Sequence, residues 1–409
     1  MRAFIPAFEK QRVLSKTVNT QMFQGKFNPA SGDYVDIKRP HQYNSVRTAG
    51  GDISLSTWNN IVSGKATAQV QNYITVPIEW TNKEEALNLD QLETILKPAA
   101  ETACIELETS FCDYMYKRAA LQIGVVGTVV DAWADVASAM SMMKSLGIPE
   151  GEHHYVMNPF TIQNLAGAQT GLSADPSRLV QTAWEKSQIS TPFAGLRAIS
   201  SNSLSSYASG VCADREGAIT ATAIDQTYVT HKDTMIQSIE VDGITAAGTV
   251  KAGEMIEVEG RYYVHPRTGK LILDASGAAI TWKGTVTADA LASGGVITLL
   301  VSGPAIYEAN GQYNNVNSAF VENDVVNILG ATATNYQPNL FYHKDAFAIA
   351  FVKLPKLFST DTIATTSDGI SIRVSKYSDG DKNEQKIRFD VLPAFACLNP
   401  FFSGKGWGY

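Results

Sequence analysis

Between Thr128 and Leu165 the sequence TVVDAWADVASAMSMMKSLGIPEGEHHYVMNPFTIQNL changes its hydrophobic period more than once, and that order limits the possible folds more than any other segment. Trp133, Val136, Met140, Met143 and Leu146 recur at helical spacing, with Ala134, Ala137 and Ala139 beside them. Gly147 followed by Pro149 stops the helix as a C-terminal glycine and a later proline do. His154, Tyr155, Val156 and Met157 then read as a brief strand, and Asn158-Pro159 turns the chain into a second helix over Thr161–Leu165. The segment predicts a mixed α and β body, and nothing in it carries the spacing of a catalytic motif.

With 409 residues the chain is too long for one ordinary core, so two or three domains are expected. Hydrophobic residues make up 44% of it, enough for globular packing. The net charge of −7 comes without a basic cluster, which argues against a nucleic-acid-reading face. No run of about 18 apolar residues exists to cross a membrane. The opening MRAFIPAFEKQRVLSK lacks the apolar core and cleavage site of a secretory signal. Cys104, Cys112, Cys212 and Cys397 are scattered without a CxxC pair or a disulfide framework, the pattern of reduced thiols.

Along the chain, residues 1–27 read as an extended arm that packs on something else, with isolated apolar residues such as Phe4, Phe8, Leu14 and Phe23. Residues 28–86 read as a long β-hairpin. GDYVDIKRP is the outgoing strand, and VQNYITVPIEW is the return, with Pro77 marking an exposed edge. The polar stretch 41–69 between them is long for a structureless loop, which suggests a projecting arm ordered by neighbours. A helical region covers 87–127. Leu89, Leu92, Ile95 and Leu96 mark a short first helix, and Pro98 breaks it or opens the next. Ala99, Ala103, Leu107, Phe111 and Tyr114 then share one face of a rod-like spine. Residues 172–207 mix short helical signals with serine-rich loops. From about Thr220 to Ala331 the texture is Val, Thr, Ile and Gly with frequent turns, an all-β module built as a small barrel or sandwich. Asn339–Leu354 (NLFYHKDAFAIAFVKL) reads as one near-continuous apolar strand, and two alternating strands follow, joined by a polar turn at 378–384. A β module between two parts of an α/β body is the signature of an inserted domain.

Candidate chemistry is thin. His153-His154 has Glu150 and Glu152 nearby but not the HExxH spacing of a metal helix. His265–Lys270 (HPRTGK) lacks the glycine spacing of a phosphate loop and reads as a turn in the β module, and YSDGDKNE reads as a hairpin tip rather than a calcium loop. No GxSxG or GxGxxG signature opens a helix. No catalytic residue, cofactor site or metal site is expected. Lys38, Arg39 and Arg47 form one modest basic group on the hairpin arm, and Trp58 on the same arm is a further candidate intersubunit contact. The group is either solvated charge on an exposed strand or a set of intersubunit contacts to acidic residues of a neighbour, for which Glu101, Glu106 and Glu108 on the spine are candidates.

The order of parts resembles the tailed-phage major capsid fold of the Hong Kong 97 type, in its short-tailed Salmonella-phage form with an inserted β domain. Gly248–Gly260 (GTVKAGEMIEVEG) is similar to the strand-turn-strand early in that inserted domain. Asn339–Leu354 is similar to the strand re-entering the axial domain, where N-L-x-[FY]-H-x-[DE]-A recurs, and Lys97–Glu108 (KPAAETACIELE) is similar to the start of the spine helix. The resemblance implies an α+β fold with an arm (1–27), an extended β-hairpin loop (28–86), a spine helix region (87–127), a peripheral domain (128–170), a first axial part (171–219), an inserted barrel-like β domain (220–331), a second axial part (332–385) and a peripheral C-terminal strand and tail (386–409). The long capsomer-linking loop of that coat type has no counterpart in the short Ala223–Thr234 region, and no self-crosslinking Lys–Asn pair is inferred.

The resemblance further implies a major capsid protein that assembles with itself into hexamers and pentamers of an icosahedral shell. Expected partners are a separate scaffolding protein, a portal protein and double-stranded DNA held by enclosure, with no membrane. The expected location is the virion, after assembly in the bacterial host cytoplasm. Two other readings stand beside it: an encapsulin-like compartment shell, and a glycan-binding or hydrolytic protein in which Tyr262, Tyr263 and Trp282 stack on sugar.

Overall fold

A computed structural model describes residues 4–23, 25–27, 32–54, 56, 58–87, 92–170, 185–220, 224–366 and 368–409. It is α+β and divides into two compact units. One comprises Met1–Asp36, Thr67–Tyr114 and Phe347–Leu398; the other comprises Ile37–Ala66, Met115–Ala346 and Asn399–Tyr409. Leu89 and the first part of 172–207 lie outside the described residues.

The spine is a single helix, Leu92–Arg118, of 27 residues and about 40 Å, and its residues up to Tyr114 belong to the first unit. Pro98 does not break it, contrary to expectation. Proline forfeits one backbone bond to the preceding turn, but Ala99, Ala100, Ala103, Cys104, Leu107 and Phe111 are buried along one face, and their packing holds the helix through that point. The Phe111 ring lies 5.0 Å from that of Phe395 on the strand Pro393–Cys397.

The hairpin differs from its sequence reading. Tyr34–Lys38 is followed in its four-stranded sheet by Lys65–Val70, so the return strand begins earlier than expected. Ile74–Thr81 belongs to another sheet, at the edge beside Glu384–Val391, where Ile78 faces Ile387 and Pro77 faces Arg388. Pro77 therefore occupies an edge strand, where a missing N–H is tolerated. Glu384–Val391 pairs in turn with Ser371–Asp379 through the polar tip expected there.

The apparent single strand at 339–354 is two strands. Asn339–His343 and Phe347–Phe351 are separated by a short 3-10 turn, Lys344–Ala346, and join different sheets. The polar pair Lys344-Asp345 interrupts the apolar run where the chain changes sheets.

The arm also departs from expectation, because it buries its apolar residues on its own chain. Phe4, Phe8, Leu14, Val18 and Phe23 are all buried. Phe4 stacks on Phe389 at 4.3 Å, and Asn19 exchanges backbone bonds with Phe347 and Ile349.

In the second unit, a six-stranded sheet runs in the order Leu121–Ile123, Ser403–Gly406, Asn339–His343, His153–Met157, Leu196–Ser200, Pro192–Phe193. The helix Trp133–Ser145, the strand His153–Met157 and the helix Pro159–Thr170 appear in the predicted order. Gly147 follows the first helix at φ +72, the left-handed value a helix C-terminus favours. Val136, Met143 and Leu146 are buried and Met140 partly so, but Trp133 is exposed.

The β module is a closed six-stranded barrel, ordered Ile236–Asp242, Ile297–Ser302, Thr281–Val286, Met255–Tyr262, Val325–Ile328, Glu216–Ile219. Alternation along Ile236–Asp242 points Gln237, Ile239 and Val241 inward, and Ile297, Leu299 and Val301 answer from the neighbouring strand. Buried Gln237 is satisfied by the backbone N–H and C=O of Ala305. Trp282 and Tyr263 are core residues, so they present no sugar-stacking face, and Tyr262 is half-buried. HPRTGK forms a turn closed by His265 N–H to Lys270 O at 2.8 Å.

Candidate assembly surface

The loop 39–64 leaves the outgoing strand and follows no regular secondary structure over its described residues. Its neck is tightly built. Arg39 donates from its backbone N–H to Gly64 O at 2.8 Å and from Nε to Lys65 O at 3.0 Å, and its guanidinium reaches Asp233 O at 3.4 Å. Lys65 N–H donates to Asp233 Oδ1 at 3.1 Å, and Lys232 Nζ lies 2.7 Å from Asp233 Oδ2. Burial opposes the charge on Asp233, but the Lys232 and Lys65 bonds outweigh it and hold the carboxyl below its ordinary range. Gly64 is needed for close approach: a Cβ there would sit 2.7 Å from Lys232 O.

Further out, Tyr228 and Tyr313 stack at 3.6 Å against Val62. Two reciprocal pairs pin the limbs. Asn44 and Asn59 exchange bonds of 2.9 and 2.8 Å, while Asn60 and Gln312 exchange bonds of 3.0 and 2.7 Å. Asn44 also donates to Gly311 O at 3.1 Å. Beyond these ties the tip holds local turns, such as Ser54 N–H to Asp52 Oδ1 and Ser56 N–H to Ile53 O.

The loop presents apolar side chains to solvent. Trp58 is 71% exposed and Ile61 75%, and Tyr43, Val46 and Ile53 are exposed with them. The loop is thus a polar segment that carries large apolar residues outward on a base fixed by polar contacts, and exposed apolar surface of this kind marks interaction sites. Sequence reasoning singled out Trp58 but not Tyr43, Val46, Ile53 or Ile61. Their only signal was isolated apolar residues in a stretch without period.

The other expected contact residues separate. Lys38 and Arg47 are exposed, whereas Arg39 is half-buried and occupied at the neck. On the spine, Glu106 is exposed and Glu101 half-buried. Glu108 is a correction: it is 2% exposed and works inside its own chain. Its carboxylate accepts the backbone N–H groups of Leu14 and Ser15 at 2.6 and 3.1 Å and the Ser15 hydroxyl, so it anchors the arm and is unavailable to a neighbour.

Among the described residues, no three His, Cys, Asp or Glu side chains converge as metal ligands, and no helix is long and apolar enough to cross a membrane. His153 and His343 meet edge to face at 5.0 Å, and His154 lies buried beside Tyr342.

The family model of the P22 coat protein, gene protein 5, matches residues 1–407. The major capsid protein of Acyrthosiphon pisum secondary endosymbiont phage 1 is 41% identical over 413 residues, covering 100% of this chain and 96% of that protein. Among solved structures, one from Mycobacterium phage Che8 aligns with a TM-score of 0.49 at 11% identity, covering 97% of this chain and 90% of that one. The capsid of the cyanophage P-SCSP1u aligns with a TM-score of 0.45 at 10% identity, covering 93% and 84%. The family match and the sequence identity each span essentially the whole chain, and on them this chain belongs to the P22 coat protein family, as a phage major capsid protein.

Proposed function

We propose that the chain forms hexamers and pentamers of an icosahedral shell around double-stranded DNA, and that the loop 39–64 joins each copy to its neighbours. The carrying observation is the exposure of Trp58 and Ile61 on a loop whose neck is fixed. With 71% of its surface exposed, Trp58 offers roughly 180 Å² of a side chain that buries up to ~250 Å², so docking it contributes at most about 4.5 kcal/mol at ~25 cal/mol per Å². One such contact is weak against the entropy of association. Repeated around a closed ring, it becomes strong.

In this reading Lys38 and Arg47 face the acidic spine of a neighbouring copy, where Glu101 and Glu106 stand. The arm, extended loop, spine, peripheral and axial domains and inserted β domain take the boundaries of the capsid fold. A scaffolding protein and a portal protein are the assembly partners, and assembly takes place in the host cytoplasm. The DNA is enclosed without sequence reading, consistent with a net charge of −7, and no step is catalytic.

The test compares wild type and Trp58→Ala, each expressed with a candidate scaffolding protein, by sedimentation and electron microscopy. The expected result is unchanged urea stability of the dissociated chain together with a loss of closed shells. Shell yields equal to wild type would remove the loop from the assembly contact. Absence of shells or rings from wild type in every condition would count against the icosahedral reading itself.

A further inference from the structure

The chain passes into the barrel through residues 209–216 and out of it through 328–334, and both passages meet one turn, residues 251–254. Arg215 sits at the incoming passage with φ +50, a left-handed backbone that residues with a side chain avoid. That conformation aims its guanidinium across the outgoing passage. Nε donates to Gly330 O at 3.1 Å and Nη2 to Leu329 O at 2.9 Å, while Arg215 O accepts from Ile328 N–H at 2.7 Å. The remaining guanidinium nitrogen lies 2.6 Å from Glu254 Oε2.

Glu254 is fully buried, and its other oxygen accepts the N–H of Gly210 at 2.7 Å and of Lys251 at 2.6 Å. One carboxylate thus holds the incoming backbone directly and the outgoing backbone through Arg215. The preceding residue, Gly253, has φ +99 and leaves no room for a Cβ against the Tyr116 ring. Its carbonyl accepts from Lys405 Nζ at 2.5 Å. Lys405 belongs to Ser403–Gly406 in the six-stranded sheet, is 0% exposed, and places its ammonium 5.7 and 5.6 Å from the ring centroids of Tyr116 and Tyr207.

We propose that Arg215, Glu254 and Lys405 form a buried charged staple that locks both passages of the inserted barrel together and fastens the barrel to the six-stranded sheet. Glu254 is the centre. Its negative charge compensates the fully buried Lys405 and the guanidinium of Arg215, whose side chain is 14% exposed, a requirement that a neutral residue of the same shape does not meet. Burial pushes the Lys405 ammonium down to about 7, and the Glu254 charge works against that fall. The staple is a positioning device. The neck of the loop 39–64 is tied to Asp233 and Gln312 of the same module, so the staple also fixes the base from which the loop projects.

Hydrogen exchange read by mass spectrometry on the dissociated full-length chain tests this, with Glu254→Gln, Arg215→Lys and Lys405→Met as variants. In Glu254→Gln and Arg215→Lys, peptides covering 206–214 and 328–336 should exchange about tenfold faster or more, while the barrel strands 236–242 and 297–302 keep their protection. In Lys405→Met the faster exchange should fall on 251–254 and 403–406. Lysine at 215 cannot reach Glu254, Leu329 and Gly330 together, so that variant carries the test if Glu254→Gln fails to fold. Wild-type protection of 206–214 and 328–336 in Arg215→Lys would overturn the staple. Equal loss of protection across the barrel strands would also overturn it, by making these residues general core.

Discussion

Replacing Glu108 by alanine should release the N-terminal arm. In the structure, Glu108 accepts the Leu14 N–H at 2.6 Å and the Ser15 N–H at 3.1 Å, and also the Ser15 hydroxyl. Leu14 and Ser15 are both fully buried, so water does not replace the lost acceptor while the arm stays docked. Each orphaned buried donor costs ~1–3 kcal/mol, and the hydroxyl can rotate toward another acceptor, which leaves two backbone groups and an expected loss of about 3 kcal/mol. That is a large part of the roughly 5–15 kcal/mol by which a protein is ordinarily stable. Glu108→Gln keeps one carbonyl acceptor but turns an amide N–H₂ toward a backbone donor, and should lose an intermediate ~1–2 kcal/mol. The assay is urea unfolding of the dissociated chain, paired with limited trypsin digestion at the exposed Lys10 and Lys16. Alanine should lower the midpoint and speed cleavage at Lys16. A change below about 0.5 kcal/mol, the scale of an ordinary surface substitution, with unchanged cleavage, would refute the anchoring role.

Asp390 is fully buried and accepts from Arg373 at 3.1 and 2.6 Å, from Arg388 at 3.0 and 2.7 Å, and from the Thr75 hydroxyl at 2.7 Å. Asp390→Asn should destabilise by about 3–5 kcal/mol because it strands buried guanidinium charge, and a melting temperature equal to wild type would contradict this. Burial opposes the Asp390 charge, but the Arg388 and Arg373 bonds outweigh it and leave its folded value below the ordinary one. Its contribution is therefore present above the ordinary carboxylate range and lost as pH falls through the folded value. His154 titrates under a different cause: burial first, then the Arg197 charge, lowers it to about 4. The unfolded chain takes up that proton near the ordinary pH ~6.5, so stability should fall by about 2–3 kcal/mol as pH drops from 6.5 toward 4. His154→Phe should flatten that slope in urea midpoints measured between pH 7.5 and 4.5, and a variant slope parallel to wild type would count against it.

Local periodicity made several elements legible. The helix at 133–145, the strand at 153–157 and the turn at Asn158-Pro159 follow from side-chain spacing and from the backbone limits of glycine and proline, which act within a few residues. The same holds for the β texture that becomes the barrel and for the hairpin tip at 380–383. At the candidate surface, Trp58 was visible as an aromatic in a polar stretch. Ile61, Tyr43, Val46 and Ile53 were not, because an apolar residue without a period gives no sign of which side faces water.

What the sequence by itself determined is the kind and order of the locally patterned elements, such as Trp133–Ser145 and His153–Met157, since propensity, pattern and turn chemistry are properties of neighbouring residues. Tertiary structure alone decided their partners. Ile74–Thr81 pairs with Glu384–Val391 across some 300 residues of chain instead of closing the hairpin, and Asn339–Leu354 is divided between two sheets. Only the fold shows that Glu108 serves Leu14 and Ser15 rather than a neighbouring copy. Only the fold brings Arg215, Glu254 and Lys405 to one turn. A strand's hydrogen bonds and a buried charge's counter-ions are supplied by whatever the chain folds against them, and distance along the sequence does not encode that choice.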